Sequence, residues 1–513
     1  MTLVEAAAGH QRVENARVAL REARYDAALS GLAGCEDWPL EVAQYAVLVK
    51  ADTLTRRDAA TALAWLANTN DIVDAPEARF EREILTGKTF ANARNFGAAA
   101  ARFERARTYV DHVPNGESRL AYQSARLRWF RRQLEPTDPD LSLALLYSDP
   151  THVASVYSIR SWAQAYAGNY RAQVRDLILA IDVAADVGYR CDVGVMGIVV
   201  ATLARIAFEI ADVDAIAIAR IAFESIAWTD DVRVDKFQIE RALGFDAFMR
   251  GDVARAQWLF RDATVTAPTP AFATLAHLDR AYVARSVRNE PWALDELYAA
   301  QRLAEDVKWG QTFGEERIAL VMLAVMLAPV DTAKAQRFAA IYSRLGVENV
   351  DPRFALSGEP RALAAESYAL ALIEQMLGHA DSALESLRAA YDVYAPIEHH
   401  YRALTVATTI GEITGDAIWM QRVRAHVAHY PGSPLADRTL ETSIANDSVL
   451  DVLSPLARQV ARAHWSGASA SELSKRFSRS LYTIERQIAL IYAAFGVTSE
   501  GALRAEAMRR GLA

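Results

Sequence analysis

Gly87-Lys88-Thr89 carries the residue types that end a phosphate-binding loop, and such a loop would make this chain a nucleotide-binding protein. The chemistry needs G-x-x-x-x-G-K-[ST], because the first glycine lets backbone N–H groups curl around the phosphates. Counting back from Gly87, that place holds Arg82, and Glu81 to Leu85 reads as continuous helix with no strand or glycine-rich turn before it. The cradle is therefore not expected. His426 and His429, three apart, can share a helix face with a metal, as can His399 and His400 after Glu398, yet a third ligand is lacking. Cys35 and Cys191 lie far apart outside any C-x-x-C pattern, which points to buried thiols in a reducing compartment and away from structural zinc. With no H-E-x-x-H and no G-x-S-x-G, the sequence predicts no enzyme, no metal and no cofactor.

The elements around these residues read as helices. The chain is 52% hydrophobic and 23% charged, globular values, and alanine runs such as Ala98 to Ala101 with only 16 prolines in 513 residues tilt it towards an all-α fold. The N-terminus has scattered charges and reads as a first helix, lacking the apolar run and cleavage site of an export signal. The longest uncharged apolar run, Ile318 to Val330, falls short of the roughly 20 residues a membrane span requires. A cytoplasmic protein is expected.

Charge is distributed unevenly. Positions 453 to 513 carry nine Lys/Arg (Arg458, Arg462, Lys475, Arg476, Arg479, Arg486, Arg504, Arg509, Arg510) against Glu472, Glu485, Glu500 and Glu506, a net +5. The whole chain has a net charge of −8, so residues 1 to 452 carry −13. A basic module following an acidic body implies different partners for the two.

Helical pairs organise the body, residues 1–428. Gly87, Phe90, Phe96, Ala99, Phe103 and Ala106 follow one another at spacings of 3, 6, 3, 4 and 3, and a similar series returns as Leu243, Gly244, Gly251, Ala256, Phe260, Ala263 and Pro268. This pattern resembles the tetratricopeptide repeat, whose small residues let paired helices approach closely. Gly87 is then a packing glycine. Turn signals recur near Tyr25, Asp58, Phe96, Tyr170, Asp212, Asp252, Pro291, Asp331, Asp381 and Asp416, which predicts ten or so stacked pairs in a superhelix with a concave binding surface. Trp65, Trp162, Trp258 and Trp292 are expected to pack in the core.

Pro431, Gly432, Ser433 and Pro434 break the pattern and open an expected linker over 429–452. Beyond it, residues 453–513 read as four short helices. Ser454 caps the first, with Pro455 at its first position; Gly467 turns the chain; Ser469 and Glu472 form a capping box; Ser480 caps a third helix whose Ile484, Ile488, Ile491 and Phe495 face inward; and a last helix runs from about Ser499 to Gly511. This stretch resembles the LuxR-type (GerE-like) helix-turn-helix at Leu453-Ser454-Pro455, Arg458, Val460, Gly467, Ser469, Glu472-Leu473, Arg476, Ser480, Thr483-Ile484, Ile488, Ile491, Phe495-Gly496-Val497 and Arg510-Gly511-Leu512. The resemblance covers about an eighth of the chain. It implies that the third helix enters the major groove, where Arg486 can bond guanine, Gln487 adenine and Glu485 the amino group of cytosine. Lys475, Arg476, Arg479 and Thr483 would then contact phosphates, and Tyr482 lies on the same presented stretch. Ala457, Glu485, Ala493 and Ala494 depart from the family's pattern.

Together these features predict a tetratricopeptide-like α-solenoid followed by a LuxR-type DNA-binding module. The architecture resembles regulators of the maltose-activator type, without their ATPase domain. Expected partners are double-stranded DNA and a peptide, protein or small ligand in the superhelix groove, with a homodimer compatible with the last helix. The other reading is an interaction scaffold whose helix-turn-helix has lost its DNA role.

Overall fold

Aspartate and asparagine caps set the rhythm of the chain. In the computed structural model, which describes residues 3–189, 191–309, 314–345, 360–435 and 453–509 apart from 466 and 478, every described segment of regular structure is helical. Eleven helical hairpins follow one another, here numbered as repeats. They are Leu3–Arg21 with Tyr25–Gly31 (repeat 1), Leu40–Arg57 with Ala59–Asn68 (2), Pro76–Asn92 with Phe96–Arg107 (3), and Gly116–Phe130 with Pro139–Ala144 (4). Next come Pro150–Tyr166 with Tyr170–Asp186 (5), Val193–Glu209 with Val213–Ser225 (6), Arg233–Met249 with Val253–Thr266 (7), and Pro270–Ser286 with Glu290–Glu305 (8). Gly314–Leu327 with Thr332–Leu345 (9), Pro360–Met376 with Ala380–Tyr394 (10) and His400–Thr414 with Ala417–Val427 (11) complete the body. The side chains of Asp58, Asn95, Asp138, Asp212, Asp252, Asn289, Asp331 and Asp416 each accept a bond from a backbone N–H two or three residues on, satisfying a donor that the second helix would otherwise leave orphaned.

All ten turn positions read from the sequence fall at the start of a second helix. The eleventh hairpin, repeat 4, lies between them and escaped the pattern because its second helix has only six residues and lacks the alanine and aromatic series. Its one local sign is Asp138-Pro139, a cap followed by a proline at the first helical position.

Close approach within a hairpin depends on glycine. A Cβ at Gly87 would lie 2.4 Å from the Phe103 ring, and one at Gly244 would lie 2.9 Å from the Phe260 ring. Both rings sit sixteen residues after their glycine and are buried. Gly87 therefore belongs to packing, and Lys88 and Thr89 to contacts between repeats. Thr55 and Thr89 share a hydroxyl hydrogen bond of 2.8 Å, Lys88 Nζ donates to Asp52 at 2.6 Å, and Arg126 Nη2 donates to Asn92 Oδ1 at 2.7 Å. At separations of 34 to 36 residues these bonds tie the first helices of repeats 2, 3 and 4 together.

The superhelix closes upon itself around repeat 6. Its first helix, VGVMGIVVATLARIAFE, is apolar on all sides, and a helix of that kind must be buried. Repeats 1 and 2 meet repeat 6 from one side: Arg56 donates two hydrogen bonds to the cap residue Asp192 at 2.9 and 2.6 Å, and Asp231, in the turn after repeat 6, accepts from the Tyr25 backbone N–H. The C-terminal repeats cover it from the other. Buried Glu209 receives Arg402 at 2.9 Å and lies within 3.4 Å of Arg361 and 3.1 Å of His399 Nδ1. One apolar cluster runs through all three parts.

The expected linker begins too early. Tyr430 is buried and its hydroxyl donates to the Phe208 carbonyl at 2.7 Å, while Ser433 is buried beside Met249. Gly251 and Gly432, both at positive φ, let two backbones meet: a Cβ at Gly251 would stand 2.5 Å from the Gly432 carbonyl oxygen. Residues 429–435 thus seal the body, and 436–452 lie outside the described residues. The proline and glycine that read as a linker serve a tight turn against repeat 7.

Trp258 departs from its expected place in the core. Its neighbours Ala256, Leu259, Phe260 and Ala263 turn inward, which leaves the indole on the outer face and 43% exposed. Trp65, Trp162 and Trp292 are half-buried. Trp258 and Trp292 flank an open cleft of about 430 Å³. Among the described residues no helix is long and apolar enough to cross a membrane, and both cysteines are buried and free.

Candidate functional sites

The C-terminal module has a core of its own. Val460, Ala461, Leu473, Ile484, Ile491, Phe495, Leu503 and Ala507 are buried together across four helices, Pro455–Trp465, Ala470–Arg476, Leu481–Phe495 and Glu500–Arg509. Each start is fixed by a serine: Ser454 accepts from the Ala457 N–H, Ser469 and Glu472 form the reciprocal capping box, Ser480 accepts from the Thr483 N–H, and Ser499 accepts from the Ala502 N–H. Gly467 and Gly496, at φ +100° and +67°, turn the chain after the first and third helices. The predicted closing residues Arg510-Gly511-Leu512 lie outside the described residues.

Inward placement of Ile484, Ile491 and Phe495 decides what the third helix shows to solvent. Tyr482, Glu485, Arg486, Ala489, Leu490 and Ala493 form the outer face. Lys475, Arg476 and Arg479, also exposed, come from the second helix and the turn. Among the described residues none of Lys475, Arg476, Arg479 and Arg486 is in an ion pair, although Glu472 lies close enough to Lys475 to feel its charge. Thr483 and Gln487 are less available. Thr483 Oγ1 is 2.8 Å from Ser480 Oγ, and Gln487 Oε1 accepts from Ser454 Oγ at 3.3 Å, which leaves the Gln487 amide nitrogen as its outward group. Tyr482, placed on this face from the sequence, is 75% exposed, and Leu490, which the sequence reading left out, is 50% exposed.

A second candidate lies on the first helices of repeats 2 to 6. Asp52 and Arg56, Lys88, Tyr122 and Arg126, Ser155, and Asp192 come from five successive repeats and meet in one polar cluster. Arg56, Asp52 and Lys88 each keep about a fifth of their side-chain surface open (21, 23 and 22%). Burial is the largest single influence on each, yet Asp192 and Asp52 still hold Arg56 well above its ordinary value. It pushes Lys88 and Arg126 below their ordinary values, and it opposes the neighbouring cations that hold Asp52 below its own. Apart from Lys88, considered as a phosphate ligand, sequence reading singled out none of them; the available signal was the recurrence of polar residues at 36 and 38 positions, Asp52 to Lys88 to Arg126.

Three of the four histidines flagged in the sequence converge, while His399 turns away to Glu209. His400 stacks on His429 with ring centroids 3.5 Å apart, and its Nδ1 is 3.4 Å from that of His426, which also meets the Tyr391 hydroxyl. Burial is the main cause lowering both His400 and His426 to about 4, so these two rings are neutral near neutral pH. No group of three or more His, Cys, Asp or Glu among the described residues could hold a metal ion.

No protein-family model and no curated protein matches this sequence. Solved structures similar to the chain include the apo form of the quorum sensor NprR from B. thuringiensis, at 12% identity and a TM-score of 0.39 over 76% of this chain and 99% of that one. A Rap protein complexed with competence and sporulation factor is similar at 12% identity and a TM-score of 0.41, over 72% of this chain and all of the other.

Proposed function

We propose that the chain is a DNA-binding transcriptional regulator: a LuxR-type module at the C-terminus binds duplex DNA, and the repeat body takes the regulatory ligand, peptide or protein. The outer face of the third helix carries this reading. Arg486 stands on it between Tyr482 and Ala489, and the unpaired Lys475, Arg476 and Arg479 flank it, as base-reading and phosphate-positioning groups do. A net +5 on this short module supports the same reading. The body supplies a closed helical scaffold with a polar interior, suited to a ligand that alters how the module is held. Titrating the full chain onto a random duplex pool at increasing salt tests the DNA half, since phosphate contacts release counterions and affinity falls steeply with salt. Steeply salt-dependent binding is expected; no binding at low salt would refute it.

A second reading has its own observation. Leu481, Tyr482 and Leu490 are 46, 75 and 50% exposed beside Glu485, which repels phosphate. An interaction scaffold would place a protein partner on this face, with affinity nearly independent of salt.

A further inference from the structure

On the outer face of repeats 7 and 8, the open cleft of about 430 Å³ gathers groups that the proposed DNA contacts leave unused. Two indoles form its walls. Trp292 is fixed in place, because buried Glu296 accepts from its Nε1 at 3.1 Å and pairs with Arg280 at 2.6 Å. Trp258, 43% exposed, keeps in water a surface whose burial would stabilise a complex, and Arg255 lies over its ring at 5.2 Å. The lining holds two arginines and no carboxylate. Glu296 answers Arg280, whereas Arg261 is exposed and, among the described residues, in no ion pair. Gln257 and Asn289 bring side-chain amides to the same space; the Asn289 carbonyl accepts from the Trp292 backbone N–H at 3.3 Å, which leaves its amide nitrogen for a ligand.

We propose that this cleft binds an acidic peptide segment of a partner protein, with an apolar side chain between the indoles and a neighbouring carboxylate on Arg261. The inference rests on the body being the half that takes the regulatory partner, and it gives that partner a chemical class and a place. The space falls within the roughly 300–1,000 Å³ of sites that hold small ligands or a few residues. Side-chain chemistry selects a peptide, since each peptide unit carries one donor and one acceptor, which the Gln257 and Asn289 amides can meet. Tryptophan beside arginine is also the composition on which binding energy between proteins concentrates. Charge selects carboxylates. Arg261 is the unmatched cation of the lining, and Arg255, beside Trp258, reaches Glu224 only at 3.9 Å. A nucleic-acid strand would bring a charge with every nucleotide to a body of −13, which repels it.

Fluorine NMR of the full chain labelled with 5-fluorotryptophan tests this, with the two signals assigned from Trp258→Phe and Trp292→Phe. The probe is the blocked tripeptide N-acetyl-Glu-Phe-Glu-amide, and N-acetyl-Lys-Phe-Lys-amide is its control. Both signals should shift saturably with the acidic probe and stay still with the basic one. Arg261→Gln should raise the midpoint about two- to fivefold, as an exposed ion pair allows. Trp258→Ala, read from the Trp292 signal, should raise it about tenfold or more. Arg261→Glu should make the chain prefer the basic probe, an inversion that a merely structural arginine would not produce. Signals unmoved by the acidic probe, equal responses to both probes, or Arg261 variants that respond as the wild type does would overturn the proposal. So would single-stranded oligothymidine saturating at lower concentration than the acidic probe. Duplex binding measured on the same samples separates the claims: a missing probe response with DNA binding intact removes this inference alone, and the reverse removes the regulator reading alone.

Discussion

Arg479 and Arg486 are seven residues apart and serve different purposes in the proposed DNA complex. Arg479 lies in the turn, where it can reach only backbone phosphate, so Arg479→Ala should weaken every duplex alike and lower the salt slope by about 1. Its measurement is affinity against log salt for several unrelated duplexes. The stacked histidines make a residue-scale prediction of another kind. His400 and His426 fall to about 4 in the folded chain, below the ordinary value of about 6.5, through burial first and then His429; His426 and Arg171 also lower His400 against Glu398, and Arg422 also lowers His426. The unfolded chain then binds more protons between these values, so their contribution to stability is complete above about pH 6.5 and lost as pH falls towards 4. Asp235 has the opposite sign: burial raises it to about 7, so its contribution is present below about pH 4 and lost as pH rises through 7. Melting temperatures from pH 4 to 8 should show His400→Gln flattening the acid limb and Asp235→Asn flattening the neutral one. Curves parallel to the wild type would contradict both assignments.

At the scale of the helix, much was legible. Asp58, Asp212, Asp252, Asp331 and Asp416 announced second helices because a cap is a local bond, made within three residues of itself. The four serines of the C-terminal module announced its helices in the same way. Gly87 and Gly244 were legible through their sixteen-residue distance to an aromatic ring. Gly87→Ala should cost about 1–3 kcal/mol of stability, because the added methyl meets the buried Phe103 ring and forces it aside. Denaturant unfolding checks this, and a neutral result would mean that the hairpin opens without strain. The segment 429–435 was misread for the converse reason. Pro431 and Gly432 look alike in a linker and in a tight turn, and what distinguishes them is Tyr430 reaching a carbonyl 222 residues away. Tyr430→Phe should cost about 1 kcal/mol through that one bond, and Tyr430→Ala about 3–5 kcal/mol through the space left between repeats 6 and 7.

The whole molecule joins parts that no local pattern connects. Arg56 and Asp192 are 136 residues apart, Glu209 and Arg402 193, and only the closed superhelix brings them together. The inner cluster around Arg126 was invisible to sequence reading for this reason, while the fold class was not: helical periodicity is written in each segment. Charge, too, acts at this scale. A body of −13 tethered to a module of +5 should lower duplex affinity through the body's own field. Residues 453–513, which have their own core, should bind duplex more tightly than the full chain at low salt, and the two should converge as salt screens the body. Equal affinities throughout would exclude electrostatic masking. The central claim, that the outer face of the third helix reads base edges, is tested most directly by selecting bound sequences from a randomised duplex library with the full chain and with Arg486→Ala. The account predicts a recurring sequence whose preference at one position, a guanine, disappears in the variant. Selection of no recurring sequence by the full chain, or of the same one by both proteins, would contradict it.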